Sequence, residues 1–362
     1  MAIPIPWRLK KTASDLVGAA HYYRNRAASP ARGNGRKSIL FCIPFYGYTG
    51  GSFAVLSTAN LLSSEYDVSF LTKPTNIMNK YAGADVRMVS EITEAFDYCV
   101  TESGISPEDL DAIRRGGSIV ILTMHGAPTL ADGSKNHGYS DQLVDRMLGL
   151  VDSVQYISDA QLPFFKGQTV HRRRVPNYVE QVKAHAPGRV AGIVCDTTLP
   201  HKNAALSVKM ASRSDAERVQ VWGKSSGQTD TERVTWNGFA TDKARIYGSF
   251  DVLVHLSKLE CQPLVVLEAI SAGIPCVLAP IPAYAHLQGL DGIYLVDLQD
   301  EDAIVEAVNA ALNCGFAVRE GLSAFWERHH SPRAIRDEWT HYLQELSALK
   351  GDRAGQLAIA GR

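Results

Sequence analysis

The sequence predicts an α/β protein made of two halves, each built around a parallel sheet. Short apolar runs typical of buried strands alternate with segments of helical spacing along most of the chain. The clearest unit has apolar runs at 252–256 and 276–278 that flank a helical segment at 264–272. Pro263 suits the start of that helix and Gly273 its end. In sheets built from such units, ligands bind at the carboxyl ends of the strands.

The composition is that of a globular protein with one strongly basic segment. The chain has 362 residues, 45% of them hydrophobic, which is enough for two domains with their own cores. The net charge is −1, so no overall field favours a polyanion such as nucleic acid. Residues 1–37, however, carry eight Lys/Arg and one acid, a charge of +7, which leaves −8 for the remainder. This basic N-terminal arm and linker is interpreted either as a solvated extension or as a contact surface for anionic lipid.

Cysteine usage and hydropathy indicate a cytoplasmic protein. Six cysteines are scattered without a Cys-x-x-Cys pair, which predicts reduced, buried thiols and no zinc site. No apolar run reaches the roughly 18–20 residues of a membrane span. The N-terminus lacks the apolar core of a signal peptide. We therefore expect a cytoplasmic location, with at most peripheral contact at the inner face of a membrane.

The first half, residues 38–178, follows a linker at 29–36, and we expect ordered structure to begin near Lys37. Strands are predicted at 38–43, 67–71, 86–89, 118–123, 153–157 and 169–175, and helices at 53–62, 107–114, 139–150 and 159–166. A glycine-rich loop at 44–52 ends in Gly50 and Gly51, whose spacing does not match a dinucleotide fingerprint. These glycines either open an anion-binding helix N-terminus or form a tight turn without a ligand.

Three polar features of the first half have alternative interpretations. His125 follows the strand at 118–123, so it lies at a carboxyl strand end, as a site residue or as a structural hydrogen-bonding group. The polar loop at 131–139 lies near the same rim and either touches a polar substrate or is solvated. The three arginines at 172–174 lie on a strand, where alternate residues face opposite ways, so we expect an exposed edge and not a nucleic-acid patch.

The second half, residues 179–330, follows a linker at 178–188. Strands are predicted at 190–195, 219–222, 252–256, 276–278 and 293–296, and helices at 204–211, 241–250, 264–272, 301–312 and 318–328. Residues 331–350 are expected to form a helix that packs back on the first domain, and residues 351–362 a loose tail. We expect the acidic run at 300–302 to cap the following helix, and we predict no metal site.

The motifs in this order resemble those of retaining glycosyltransferases of the GT-B fold, in particular the group called glycosyltransferase family four. Glu260 and Glu268, with seven residues between them, look like the paired-glutamate motif of that family. Supporting matches are Gly50-Gly51, His125, residues 154–158 with 175–179, and residues 201–203, spread over 38–345. The resemblance implies two Rossmann-like domains facing across a cleft. Residues 38–178 would hold the acceptor and residues 179–330 the nucleotide sugar.

The resemblance also implies a role for each matched residue. Glu260 would bind the transferred sugar or stabilise positive charge at its anomeric carbon, and Glu268 would accept hydrogen bonds from the ribose hydroxyls. Lys202 would neutralise the leaving diphosphate, and His125 would orient or stabilise the sugar. The remaining residues assigned to the bound substrate are the helix-start residues Leu264 and Val265, the strand-end residues Trp222 and Gly223, and Gly50 and Gly51.

One departure from the family pattern concerns the donor phosphates. The family has an arginine several residues before the lysine, whereas here no Arg or Lys lies between Gly192 and His201. Either Lys224 or Lys258 supplies the charge, or the phosphates are held differently, with His201 a weaker candidate.

The predicted activity is transfer of a sugar from a nucleotide diphosphate sugar to an acceptor hydroxyl with retained configuration, without a further cofactor. The acceptor would be a glycan or lipid-linked glycan, in cell-surface glycan or glycolipid synthesis. The alternatives are a nucleotide-sugar 2-epimerase-type isomerase and a non-catalytic scaffold of the same fold.

Overall fold

The computed structural model describes residues 7–28, 35–42, 50–102, 105–126, 147–165, 167–183 and 188–360. The predicted loop at 44–49, the polar loop at 131–139 and most of the predicted helix at 139–150 lie outside these residues. Part of the predicted linker, residues 184–187, lies outside them as well.

The first domain is built on a parallel sheet in which seven described strands follow the order β3-β2-β1-β4-β5-β6-β7. These strands are β1 (Ser38–Cys42), β2 (Asp67–Leu71), β3 (Arg87–Val89), β4 (Tyr98–Thr101), β5 (Ile119–Met124), β6 (Ser153–Tyr156) and β7 (His171–Arg174). The accompanying helices are α1 (Trp7–Ala28), α2 (Gly50–Leu62) and α3 (Pro107–Arg115), with short 3-10 turns at Ile77–Tyr81 and Asp159–Phe165. Apolar clusters lie on both faces of the sheet, as the continuous burial of its central strands requires.

The second domain repeats this architecture with six described strands in the order β10-β9-β8-β11-β12-β13. The strands are β8 (Val190–Val194), β9 (Arg218–Trp222), β10 (Val234–Gly238), β11 (Val252–His255), β12 (Cys276–Leu278) and β13 (Ile293–Leu295). The helices are α4 (Ala204–Arg213), α5 (Lys243–Tyr247), α6 (Leu264–Ser271), α7 (Glu301–Leu312), α8 (Phe316–His329) and α9 (Pro332–Ala360), with 3-10 turns at Pro200–Lys202 and Pro282–Leu287. The predicted fold class, two parallel-sheet α/β domains, is confirmed.

Two strands were absent from the sequence-based prediction. Tyr98–Thr101 lies in the middle of the first sheet between β1 and β5, and all four of its residues are buried. Val234–Gly238 is an edge strand beside β9 and includes Asn237 and Gly238, which are typical of turns. Both segments contain residue types common in strands, but they are too short to stand out as apolar runs, so their pairing with neighbouring strands is what identifies them.

The N-terminal segment corrects the expectation that ordered structure begins near Lys37. Helix α1 packs on the turn Ile77–Tyr81, with Tyr22 fully buried in the first-domain core. A side chain at Gly18 would lie only 2.6 Å from the Asn76 carbonyl oxygen, so the glycine permits this close approach. The sequence could not reveal this docking, because the contact depends mainly on Tyr22 and Gly18. Two such residues do not produce the regular spacing of apolar residues that marks the buried face of a helix.

The C-terminal helix α9 lies against the first sheet. Trp339, Tyr342 and Leu343 belong to the same buried cluster as the strand residues Phe41 and Val100. The helix continues to Ala360, whereas the sequence predicted a loose tail from residue 351. None of the described helices is long and apolar enough to span a membrane.

The arginine run and the acidic run both have structural partners. Strand β7 is the edge of the first sheet, as expected, and Arg173 on it pairs with Glu338 and Glu345 of α9 at 3.1 and 2.6 Å. Asp300 caps α7 by accepting a hydrogen bond from the Ala303 N–H, as predicted. Glu301 and Asp302 form ion pairs with Lys209 and Arg213.

Close packing inside the second domain gives a test of this fold. A Cβ at Gly192 of β8 would lie 2.2 Å from the Phe250 ring, so we expect Gly192→Ala to lower the free energy of unfolding by about 1–3 kcal/mol. Gly321 lies within α8 with open space around it, so Gly321→Ala should instead stabilise by roughly 0.5–1 kcal/mol. Urea unfolding of both variants measures the two values, and equal losses would contradict the packing described for Gly192.

Candidate active site

The candidate site lies at the carboxyl end of β11, where a loop connects the strand to helix α6. The loop carries Glu260 close to the end of the strand, and Pro263 occupies the cap position of the helix. The strand is fully buried, so its end is fixed by the sheet and the loop starts from a rigid support. Helix α6 then carries Glu268 on its buried side.

Glu260 is a largely buried carboxylate with two nitrogen partners on one oxygen. Lys202 Nζ lies 2.6 Å from Oε1, and His255 Nε2 lies 3.0 Å from the same atom. Burial by itself would raise the pKa of Glu260, but the hydrogen bonds and charges of His255 and Lys202 outweigh it and lower the pKa to about 2. The carboxylate is therefore ionised throughout the physiological range, and Oε2 has no hydrogen-bond partner among the described residues.

Lys202 reaches Glu260 because the preceding turn is tied to the Glu260 loop. The turn Pro200–Lys202 ends at Asn203, which adopts a left-handed conformation with φ of 52°. The His201 carbonyl accepts hydrogen bonds from the Lys258 N–H at 2.8 Å and from Ser257 Oγ at 3.1 Å. The loops that follow β8 and β11 are therefore joined, as expected for adjacent parallel strands.

Glu268 is also buried, and both of its oxygens have partners. The Tyr247 hydroxyl of α5 donates to Oε2, and Lys243 Nζ lies 2.8 Å from Oε1. Burial, followed by the charge of Glu268 and this hydrogen bond, raises the pKa of Tyr247 well above its ordinary value, so the phenol remains a donor. Lys243 is half exposed, so a ligand hydroxyl can take its place without disturbing the buried tyrosine.

The start of helix α6 faces the same region as the Glu260 loop. Leu264 and Val265 are the first helical residues, so their N–H groups have no carbonyl partner within the helix. The Val266 N–H already donates to the Pro263 carbonyl at 3.1 Å. The Leu264 and Val265 N–H groups therefore remain available to bind an anion such as a diphosphate.

Trp222 and Gly223 have structural roles at the end of β9. The Trp222 side chain is buried in the core, and its Nε1–H donates to Ser249 Oγ at 2.9 Å. Gly223 has a φ of 124°, and a side chain there would lie 1.9 Å from the Cys195 carbonyl oxygen. This glycine allows the loop that leads to Lys202 to lie across the strand end.

The positions proposed to replace the missing arginine are close to this loop. The Lys224 carbonyl accepts a hydrogen bond from the Thr197 N–H at 2.9 Å, and Lys224 Nζ lies 3.8 Å from Asp196 Oδ2. Lys258 is exposed next to the His201 turn. Lys224 is exposed after β9 and Lys258 is exposed after β11, and the described contacts favour neither lysine as the replacement.

Across the cleft, His125 lies at the end of β5. Its Nε2 is 3.0 Å from Thr123 Oγ1, and Thr123 in turn hydrogen-bonds to Gln155 of β6. Burial lowers the pKa of His125 to about 4, with a smaller opposing effect from the Asn177 amide. The imidazole is therefore neutral near pH 7 and acts as a hydrogen-bonding group, not as a cation.

The segment that crosses between the domains connects the two halves of the site. The Asn177 N–H donates to Gln262 Oε1 at 2.6 Å, and its carbonyl lies 3.2 Å from His330 Nδ1. Asn177 therefore contacts the Glu260 loop through its backbone and influences His125 through its side chain. His125 Nε2 is paired with Thr123, and its buried Nδ1 has no hydrogen-bond partner among the described residues.

Gly50 and Gly51 form the first residues of helix α2 on the first-domain side. Gly50 is exposed, and a Cβ on it would meet no atom within 4 Å. Among the described residues, nothing lies within 4 Å of that position, and the loop that precedes the helix is outside them.

Sequence reasoning missed four residues that define the site, namely His255, Tyr247, Lys243 and Gln262. His255 lies in an apolar strand run, where a buried polar residue is a usable signal. The other three could not be found from the sequence, because their partners come from separate elements. Among the described residues, no group of three His, Cys, Asp or Glu side chains is arranged to hold a metal ion.

Comparison with known proteins agrees with this architecture. Residues 198–314 match a family model described as glycosyl transferases group 1, which includes Lys202, Glu260 and Glu268 but less than half of the chain. No curated protein shows significant sequence similarity to the chain.

Solved structures extend the likeness to both domains. HepE from Anabaena in complex with UDP and glucose has a TM-score of 0.64 at 14% identity, over 84% of this chain and 99% of that one. Sucrose-phosphate synthase from Thermosynechococcus elongatus has a TM-score of 0.65 at 14% identity, over 87% and 100%. The pneumococcal O-GlcNAc transferase GtfA in complex with UDP and GlcNAc has 0.55 at 17% identity, over 70% and 57%. The fold of this chain is thus the GT-B fold.

The pairing of His255 with Glu260 predicts a pH-dependent loss of stability. A folded pKa of about 2 stabilises the protein above the unfolded pKa of Glu260, and this contribution disappears as the pH falls towards 2. We expect His255→Ala to lower the free energy of unfolding by about 1.5–3 kcal/mol at pH 7 and by less at pH 3. His201→Ala is the control, since its side chain makes no hydrogen bond with the described residues. Equal losses for His255→Ala at both pH values would indicate a cavity effect alone.

Proposed function

We propose that the protein is a retaining glycosyltransferase of the hexosyltransferase type that uses a nucleoside diphosphate sugar as donor and a glycan or lipid-linked glycan as acceptor. The observation that carries this proposal is Glu260, a largely buried carboxylate at the carboxyl end of β11 whose Oε2 has no hydrogen-bond partner among the described residues. Lys202 and His255 hold the other oxygen. Such an arrangement suits a sugar whose hydroxyls are bound and whose anomeric carbon becomes positively charged.

The donor would lie across the loops of the second domain. The Leu264 and Val265 N–H groups and Lys202 would contact the diphosphate, since a helix start and an ammonium both favour an anion. Glu268 would accept hydrogen bonds from the ribose hydroxyls once Lys243 moves aside, with Tyr247 holding its other oxygen. HepE has been observed with UDP-glucose, which makes UDP-glucose the first donor to test.

In the proposed reaction, the bond between the anomeric carbon and the donor phosphate breaks while the acceptor oxygen bonds to the same face of that carbon. The acceptor hydroxyl loses its proton to the departing phosphate oxygen. Lys202 offsets the charge that develops on the diphosphate, because its ammonium has donors beyond the one used by Glu260. His125, neutral near pH 7, would hydrogen-bond to the sugar from the other side of the cleft.

The roles of Glu260 and Lys202 are tested by release of UDP from UDP-glucose. Glu260→Gln and Lys202→Ala should each lower kcat by about 10²–10³, since each removes charge stabilisation at the reacting centre. Lys209→Ala is the matched control, because Lys209 forms an exposed ion pair with Glu301 far from the site, and its kcat should stay within twofold. Wild-type activity in both site variants would contradict the assignment.

The same assay separates the alternative functions. A wild-type protein that turns over none of a panel of UDP, GDP and dTDP sugars would be a non-catalytic scaffold. Conversion of the donor to its epimer without an acceptor would instead identify a nucleotide-sugar isomerase.

We also propose peripheral contact with anionic membrane through helix α1, which would bring the enzyme to a lipid-linked acceptor at the cytoplasmic face. Leu16, Val17 and Tyr23 are 67%, 42% and 60% exposed and lie on the side of α1 opposite the docked Gly18 and Tyr22. Basic residues flank them along the helix. Exposed apolar side chains among cations are typical of interfacial helices.

Substitution of the exposed face tests this contact without removing the docked helix. We expect Leu16→Ser with Tyr23→Ser to weaken binding to phosphatidylcholine vesicles containing phosphatidylserine at least fivefold in co-sedimentation, because buried apolar area is lost. Wild-type binding should also weaken with added salt. Phe316→Ser, at a residue 75% exposed on the second domain, is the control. Equal binding of the double variant and the control would contradict the proposal.

A further inference from the structure

Glu102 occupies a position at the centre of the first-domain sheet that the proposed function has not used. It directly follows β4, which lies between β1 and β5. Within β4, Tyr98 and Val100 belong to the apolar cluster on the α2 and α9 side, while Cys99 belongs to the cluster on the opposite face. Because side chains alternate along a strand, Glu102 lies on the α2 and α9 side.

The neighbouring strand places His125 on the same face. Thr101 of β4 pairs with Leu122 of β5, so Glu102 and Thr123 are in adjacent positions at the two strand ends. Ile119 and Ile121 of β5 lie in the cluster on the α2 and α9 side. Because every second side chain of a strand faces the same side of the sheet, Thr123 also faces this side, and His125 is hydrogen-bonded to Thr123. Helix α2, which begins at Gly50, covers the same face.

The Glu102 carboxylate makes no ion pair or side-chain hydrogen bond with any residue that the structure describes. Burial raises its pKa to about 7, with no compensating partner. Glu260 on the other side of the cleft is the opposite case, since its two partners outweigh burial and lower its pKa to about 2. Glu102 is half-buried, so its carboxylate can still be reached by a ligand. Because it makes no side-chain hydrogen bond or ion pair with a described residue, a structural role does not account for it.

We propose that Glu102 is an acceptor-binding residue, whose carboxylate accepts a hydrogen bond from a hydroxyl group of the acceptor sugar beside His125. The inference rests on the proposed function and extends it to the acceptor half of the site. A carboxylate suits this role because it binds a hydroxyl through a charge-assisted hydrogen bond. A ligand that covers this carboxylate without supplying a hydroxyl would leave it desolvated and unpaired, so the site would discriminate against such ligands.

The first test compares UDP release from UDP-glucose with and without octyl β-D-glucoside, octyl β-D-galactoside and octyl N-acetyl-β-D-glucosaminide as acceptor probes. Glu102→Ala and Glu102→Gln should reduce the acceptor-dependent rate at least tenfold through a higher KM for the acceptor. The slow release without acceptor, and the KM for UDP-glucose, should stay within twofold of wild type. Glu91→Gln, at an exposed acid of the same domain, is the control and should change neither rate.

The outcomes separate this role from the proposed function. Full acceptor stimulation in both Glu102 variants overturns the acceptor role and leaves the proposed activity standing. An equal fall in the rates with and without acceptor also overturns it, because the residue would then act on the whole site. A wild-type protein that releases no UDP under either condition overturns the proposed function and this role with it.

A second measurement does not depend on the choice of acceptor. The folded pKa of Glu102 is raised, so folding is disfavoured as the pH rises from the unfolded value towards about 7. The nearby imidazole of His125 is neutral at that pH and does not offset this cost. Glu102→Gln should therefore raise the melting temperature by several degrees at pH 8 and leave it unchanged at pH 4.5. A lower melting temperature at pH 8 would show that the carboxylate stabilises the fold, and would overturn the proposal.

Discussion

The buried charge of Glu260 is the constraint on which the second-domain side of the cleft depends. An ionised carboxylate in this position is unstable unless it has partners, because burial removes its hydration. The partners come from two different elements, His255 from the strand below and Lys202 from the turn after β8. The left-handed Asn203 and the hydrogen bonds to the His201 carbonyl shape this turn. Gly223 is required nearby for the same reason, since only a glycine allows the loop before the turn to pass.

The two sides of the cleft differ in whether their acidic side chains have hydrogen-bond and ion-pair partners. Glu260 is paired with Lys202 and His255, and Glu268 with Lys243 and Tyr247, so the second domain is organised before any ligand is present. On the first-domain side, His125 is neutral near pH 7, and the Glu102 carboxylate has no partner among the residues that the structure describes. A preorganised second-domain side suits the nucleoside diphosphate proposed as the leaving part of the donor, because the chemistry of that ligand is fixed. An unpaired acid on the opposite side suits a polar ligand that supplies the missing hydrogen bond.

The domains are connected so that these faces are held near one another. Asn177 bonds to Gln262 in the Glu260 loop and to His330 just before the C-terminal helix. That helix returns to the first sheet, where Tyr342 packs in the core and bonds to Ser153. The chain therefore crosses the cleft twice, and one of the crossings touches the site directly.

The sequence by itself determined the α/β class, most of the strands and the order of the motifs, because apolar periodicity and local turn residues report directly on these features. Glu260, Glu268 and His125 could be singled out from their places in this pattern, and Lys202 from the resemblance to a family motif. The short strand Tyr98–Thr101, the docking of α1 and the helical end of α9 depended on neighbours distant in sequence. The partners His255, Tyr247 and Lys243, and the unpaired state of Glu102, were decided only by the tertiary structure. The reason is physical, since the pKa of a carboxylate is set by burial and by charges that folding brings within a few ångströms, and neither is encoded in local spacing.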